Sequence, residues 1–382
     1  MHPLSGIKVL DFTTLLPGPM ATMYLADWGA EVIRIEAPDR EDMSRVMPPF
    51  AQGTSTTHAF LNRSKKSVVL DLKDAGARVK LAELVRTCDI VIEQFRPGVM
   101  TKFGLDYSAL SMVNPRLIYC SLTGYGQTGP CKDKAGHDIN YAALTGMAAM
   151  TGSQVHGPVL HGAPVCDMAG SYNALFGLMT ALYHRERTGE GQYIDVSITD
   201  SSLMLSGIWA QMGLAAQTYP SWESTVLNGG SFYGYYRTKD GQYLSVGGLE
   251  PKFFKAFLEA IGGLNILAMD PWQAHAVKQA IQARLEMKTS AEWLELFAGL
   301  DVCVEPVLGF ERIEEHPHFI ARGMFVDVDG VGGSRQKQLA SPLRFSGLRP
   351  IYRHIGAKKG ANSGILNGEA TEGEGVFPRH CL

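Results

Sequence analysis

The sequence predicts an α/β fold: a Rossmann-like large domain on a mainly parallel sheet, with a smaller α+β domain. Three observations carry that prediction. Short β-branched runs such as Ile7-Lys8-Val9-Leu10-Asp11-Phe12 alternate with helical stretches, the pattern of parallel strands joined by crossovers. The 382 residues hold two or three domains' worth of material. After Asn228-Gly229-Gly230 the pattern changes to a hairpin followed by helices, which marks a second domain.

The first of these runs reads as a buried strand. Thr14 to Pro19 then reads as a turn, with Pro19 suited to the first position of a helix from Met20 to Trp28 that Gly29 ends. Glu31-Val32-Ile33-Arg34-Ile35-Glu36 is the second strand, completing a βαβ unit with an acid at its end. Leu16-Pro17-Gly18-Pro19 stands where a dinucleotide fold carries G-x-G-x-x-G, which argues against a dehydrogenase. Residues 38–60 read as irregular, and Arg63-Ser64-Lys65-Lys66 as a solvated basic loop before a strand from Ser67 to Leu72. A helix from Asp74 to Thr87 follows, with Val79, Leu81, Leu84 and Val85 apolar. Next come strands from Asp89 to Glu93, running into Phe95-Arg96-Pro97-Gly98, and from Leu117 to Leu122.

Helices are expected from Ile139 to Met150 and from Asp167 to about Arg187, the second closed by Gly189-Glu190-Gly191. Tyr193 to Ser197 reads as a strand and Ser201 to Ala216 as a Met-rich helix. Strands from Phe232 to Thr238 and Gln242 to Gly247 meet at the turn Lys239-Asp240-Gly241. Helices follow over Pro251 to Ile261, Pro271 to Glu286 and Ser290 to Gly299. Beyond Arg322 the chain reads as Gly-rich and irregular, and the tail 356–382 as extended or poorly ordered. The expected division is a large domain over 1–200, a linker helix over 201–225, a small domain over 226–325 and a returning segment over 326–382.

A net charge of −3 with dispersed basic residues leaves no electrostatic case for nucleic acid or a membrane surface. The six cysteines form no C-x-x-C pair and no His cluster has zinc spacing, so reduced thiols and no metal are expected. The opening Met1-His2-Pro3-Leu4-Ser5-Gly6 lacks the basic-then-apolar pattern of a signal peptide, and no apolar run is long enough to cross a bilayer. A cytoplasmic protein is the simplest expectation.

The chemistry concentrates in Gly136-His137-Asp138-Ile139-Asn140-Tyr141. This run sets an imidazole and a carboxylate at a helix start, where the dipole favours the neutral, proton-accepting imidazole. Thirty residues later Asp167 stands at another helix start, where a carboxylate caps well. Two proton-handling groups at two helix starts point to acid/base chemistry beside an anion or a developing enolate. Arg96 follows a strand's C-terminal end, where α/β sheets bind phosphates. Asp11 and Asp27 read as structural, His156, His161 and His184 as surface residues, and Tyr141 as either core or ligand contact.

Beyond these single residues, the chain resembles the family III CoA-transferase group, which includes carnitine and formyl-CoA transferases and α-methylacyl-CoA racemase. The resemblance covers roughly residues 4–350. It is carried in order by Leu16-Pro17-Gly18-Pro19, Ala26-Asp27-Trp28-Gly29-Ala30, Leu70-Asp71-Leu72-Lys73, Phe95-Arg96-Pro97-Gly98-Val99, Gly124-Tyr125-Gly126-Gln127-Thr128-Gly129-Pro130 and Arg187-Thr188-Gly189-Glu190-Gly191-Gln192. The run Ala135 to Tyr141, the stretch Tyr236 to Gly241 followed by Val246 to Phe253, and Asp301 to Leu308 look most like the racemase branch. Ala37, the sequence after Asp167, Gly229-Gly230-Ser231-Phe232 and the Gly/Lys-rich tail depart from that branch.

The resemblance implies His137 and Asp167 as the two acid/base residues, and Glu250 as a carboxylate pairing with the His across a domain or subunit boundary. It implies contacts to CoA from Val69, Leu70, Asp71, Leu72 and Lys73, from Gly136, Asp138, Asn140 and Tyr141, and from Arg96. It further implies an interlocked homodimer acting on an acyl-CoA substrate, with no separate cofactor. Two bases flanking C2 of a 2-methylacyl thioester would racemise it through an enolate, with N–H groups at the Asp167 helix start as candidate oxyanion donors. The alternative is CoA transfer between carboxylic acids, with Asp167 as nucleophile passing through an aspartyl-CoA thioester.

Overall fold

A computed structural model describes residues 2–269 and 273–369. The chain forms two compact units. Among the described residues, the first comprises those up to Ala142, Ala163–Leu205 and 320–369; the second comprises Ala143–Gly162 and Ser206–Phe319. Residues 143–162, expected inside the large domain, thus cluster with the second unit.

The first unit is built on six strands: Lys8–Phe12, Glu31–Glu36, Lys66–Val69, Ile90–Glu93, Ile118–Thr123 and Tyr193–Ser197. Counted along the chain they lie in the order third, second, first, fourth, fifth, sixth. Every pairing in this sheet is parallel. This is the doubly wound order, whose direction reverses between the first and fourth strands. Parallel strands need both faces covered, and most residues of these runs are accordingly buried, the charged Asp11, Arg34, Glu36 and Glu93 among them. One face carries Leu10, Ile33, Val68, Val91 and Leu117 against Leu81 and Val85 of the helix Ala75–Val85 and Leu110 of the helix Tyr107–Val113. On the other, the helix Pro17–Asp27 is tied to the long helix Val165–Thr188 by the Ser171 hydroxyl, which donates to the Pro17 carbonyl at 2.7 Å.

Four expectations need correction. The segment Thr14 to Pro19 is helical from Pro17, because a proline in the first turn loses no bond the helix needs. The expected helix from Ile139 to Met150 is broken into Asp138–Leu144 and Met147–Met150, with Gly146 in the left-handed region at φ 79°. Likewise, Ile198–Leu205 and Gly207–Ala216 replace a single Met-rich helix. Beyond Arg322 the chain is not irregular: Phe325–Asp329 and Arg335–Leu339 form an antiparallel pair.

The tail expectation fails over its described part. Residues 357–367 run along the free edge of the strand Lys66–Val69. Asn362 N–H donates to the Ser67 carbonyl (2.8 Å) while its side-chain oxygen accepts from Ser67 N–H (2.9 Å), and Ser363 Oγ accepts from Val69 N–H (3.0 Å). The segment satisfies backbone groups that an open edge would leave to water or to another chain. Residues 370–382 lie outside the described part, as do the first residues of the helix expected from Pro271, which is helical over Ala274–Leu285.

The second unit has an antiparallel sheet of Gly234–Arg237, Tyr243–Val246 and Val304–Pro306. Its core joins Tyr236 and Leu244 to Phe257, Ile281 and Trp293 from three helices. Thr289 and Glu292 form a capping box that starts the helix Ser290–Phe297. No helix among the described residues is long and apolar enough to cross a membrane.

Candidate active site

Two helix starts in the first unit meet through one carboxylate. The helix Val165–Thr188 begins after Pro164, whose side chain cannot cap it. Oδ1 of Asp138 does so instead, accepting from Cys166 N–H at 2.7 Å and Asp167 N–H at 3.0 Å. Those first-turn groups have no partner within the helix, and an anion there also meets the positive end of the dipole. His137, one residue before Asp138, is exposed, and its own N–H is held by Asn140 Oδ1 at 3.0 Å. The tether brings the His137 imidazole into electrostatic range of Asp167, with no hydrogen bond between their side chains. Burial pushes the Asp167 carboxyl up from 3.8 to about 6; the neighbouring Asp138 raises it further and His137 offsets part of the rise.

This geometry changes three expected roles. Asp138 is a cap across helices, so its carboxylate is engaged by backbone. The N–H groups of Cys166 and Asp167 are consequently filled and cannot serve as oxyanion donors. The unfilled donors beside His137 are the first-turn N–H groups of Asp138 and Ile139, which have no protein acceptor among the described residues. Tyr141 is core: its ring is buried edge-on to Tyr125 at 5.3 Å and its hydroxyl donates to the Gly136 carbonyl at 2.8 Å. Gly136 is needed there, since a Cβ would lie 2.8 Å from the Tyr141 ring. Asn140 serves the local turn through His137.

A cavity of about 780 Å³ opens at the C-terminal ends of the first four strands, across the point where the sheet order reverses. Leu70, Asp71, Leu72, Lys73 and Arg96 line it, as do Arg34, Glu36 and Arg40. Val69 does not, and its N–H is bound to Ser363. Glu36, the acid ending the second strand, is not free for a ligand. Burial opposes its charge, but Arg45 (2.6 and 2.8 Å) and Arg34 outweigh that and hold its carboxyl at about 2. Arg40 and Arg96 are the lining cations that no carboxylate pairs among the described residues.

The basic run before the third strand is not solvated. Arg63 and Lys65 are buried, Arg63 gripping Asp27 at 2.6 and 2.8 Å and Lys65 lying 3.4 Å from Asp11. Lys65 also donates to the Pro19 carbonyl at 2.9 Å, so the run anchors the Pro17-Gly18-Pro19 helix start from beneath. Sequence reading missed this because its partners lie 36 and 54 residues away. It also missed Lys359, which donates to the carbonyls of Pro38 (3.3 Å) and Arg40 (3.1 Å) and pairs with Glu41 (3.0 Å), holding the loop at the cavity rim. Glu250 lies in the second unit and precedes the helix Pro251–Ala260 as its N-cap, without a side-chain capping bond. Among the described residues no group of three His, Cys, Asp or Glu side chains is placed to hold a metal ion.

Comparison with known proteins gives a consistent result. The family model for CoA-transferase family III matches residues 4–356. The human α-methylacyl-CoA racemase is 37% identical over 331 residues, covering 85% of this chain and 82% of that protein. The acetyl-CoA:oxalate CoA-transferase of Acetobacter aceti is 33% identical, covering 94% and 92%. Among solved structures, a CAIB/BAIF family protein from Brucella suis superposes with a TM-score of 0.84 at 27% identity, covering 96% of this chain and 99% of that one.

Proposed function

The chain belongs to CoA-transferase family III, and on that premise we propose that it interconverts the two configurations at C2 of a 2-methyl-branched acyl-CoA. The observation that carries this reading is the joined pair of helix starts. His137 acts electrostatically on Asp167 without hydrogen-bonding to it, so neither group is consumed by the other. Reversing a stereocentre needs a group on each side, one taking the proton and the other returning it. A carboxyl raised to about 6 both accepts and releases a proton near neutrality.

In this mechanism one of the pair removes the C2 proton and the C2–H electrons move into the thioester carbonyl, forming an enolate. The other pair member then protonates C2 on the opposite face. The free N–H groups of Asp138 and Ile139 are the donors available to the enolate oxygen. The nucleotide end of CoA occupies the cavity at the strand ends, its phosphates drawn by Arg40 and Arg96. Glu250 is assigned to pairing with His137 in an interlocked homodimer. Support for a second copy comes from Tyr172, Phe176, Met179 and Tyr183, an exposed apolar stripe at helical spacing on Val165–Thr188.

A second reading rests on the same carboxylate and on the likeness to the Acetobacter transferase. There Asp167 attacks the thioester carbonyl and expels CoA thiolate, which then attacks the aspartyl anhydride to give an enzyme-bound thioester and release the acid. One experiment separates the two. A single enantiomer of 2-methylacyl-CoA is incubated in D₂O and deuterium at C2 is followed. Racemisation requires incorporation that His137→Ala lowers by about 10²–10⁴-fold. No incorporation, with an Asp167 thioester trapped by hydroxylamine in the presence of an acceptor acid, establishes the transferase instead.

A further inference from the structure

We propose that Asp138 is a positioning residue for the reaction, its carboxylate both pinning the start of the Asp167 helix to the His137 loop and presenting a like charge to Asp167. The inference rests on the assignment of Asp167 as an acid/base group. Three independent features lead to it. A single oxygen, Oδ1, accepts both Cys166 N–H and Asp167 N–H, so the contact fixes the position and the rotation of the first helical turn together. The helix has no local alternative, because Pro164 offers no capping side chain. Finally, Asp138 and His137 are consecutive, so any shift of one catalytic helix start relative to the other must stretch these two bonds.

The electrostatic consequence follows from the same contact. The Asp138 carboxylate raises the Asp167 carboxyl, as expected where two carboxylates share a site and resist double ionisation. The groups facing Asp167 are few: Asp138 and His137 from the preceding loop and helix, Tyr141 from that same helix, and Cys166 in its own first turn. Of these, Asp138 is the carboxylate and His137 the opposing base. The two N–H bonds alone would be served by the amide oxygen of asparagine, which has the same reach. The charge is what asparagine cannot reproduce, so the two contributions are separable by substitution.

Asp138→Asn keeps the cap and removes the charge, while Asp138→Ser removes the charge and shortens the reach of the cap. The Asp167 carboxyl is followed by carbon-13 NMR in the full-length protein and identified by its loss in Asp167→Asn. Both neutral variants are expected to lower its titration midpoint by about one unit. The acid limb of the pH profile for C2 deuterium exchange is expected to move down with it, with melting temperature preserved in Asp138→Asn. Asp138→Ala, which removes the cap as well, is expected to lower both the melting temperature and the exchange rate further. An Asp167 midpoint that stays in place in either neutral variant overturns the proposal, as does an acid limb that does not move. A wild-type protein that exchanges no C2 deuterium overturns the racemase reading instead, and the carboxyl titration still judges Asp138.

Discussion

Replacing Glu93 by glutamine should make the protein more stable, and increasingly so as pH rises. Glu93 ends the fourth strand of the parallel sheet and is only 4% exposed. Burial raises its carboxyl from the ordinary 4.5 to about 7, Asp195 adds to the rise, and bonds from Ser121 and from Phe95 N–H (2.8 Å) oppose it. In the unfolded chain the group loses its proton near 4.5, whereas the folded chain holds it to about 7. The folded state therefore suffers no penalty below pH 4.5, a growing one between 4.5 and 7, and the full one above. A shift of that size corresponds to roughly 3 kcal/mol. Glutamine is neutral throughout, and its carbonyl can still accept from Phe95 N–H. Urea unfolding of wild type and Glu93→Gln between pH 5 and 9 reads the difference directly. The stability gain should be small at pH 5 and approach roughly 3 kcal/mol above pH 8. A gain that does not vary with pH, or a loss at alkaline pH, would refute the reasoning.

Two further substitutions test the parts of the fold that hold the cavity. Arg63→Ala strands Asp27 as a buried, unpaired carboxylate and should cost about 3–5 kcal/mol in the same unfolding assay, with Asp27→Asn in the double variant recovering part of the loss. Lys359→Met removes the cation that holds the Pro38 and Arg40 carbonyls and Glu41 at the cavity rim. Calorimetry should show CoA binding weakened by about tenfold, the equivalent of one hydrogen-bonded charge, while the exchange rate at saturating substrate is kept.

Much of this architecture was legible before any coordinates. The strands Glu31–Glu36 and Tyr193–Ser197 stand where their apolar runs place them, and Asp74 caps its helix through Gly76 and Ala77 N–H as an aspartate there should. The hairpin turn at Lys239-Asp240-Gly241 carries its Gly241 at φ 78°, the conformation that glycine supplies. Helix boundaries were less legible, because a proline or glycine can open a helix or break one, and only the packed neighbours decide which. Pro17 starts a helix and Gly146 interrupts one.

What the sequence by itself determined is everything that depends on neighbours along the chain. Period and turn chemistry specify the alternating strands and helices, and ordered motifs specify a family whose acid/base candidates are His137 and Asp167. Tertiary structure alone decided how distant residues use their charges. Arg63 and Lys65 look like a solvated run until Asp27 and Asp11 are brought beside them in the interior. The Gly/Lys-rich segment after residue 356 looks unstructured until the open edge of the third strand supplies its hydrogen bonds. Asp138 looks like a ligand contact until the helix 28 residues onward presents two unsatisfied N–H groups to it. The common reason is that a buried polar group takes its role from whatever folding places within about 3 Å of it, and sequence spacing carries no record of that partner.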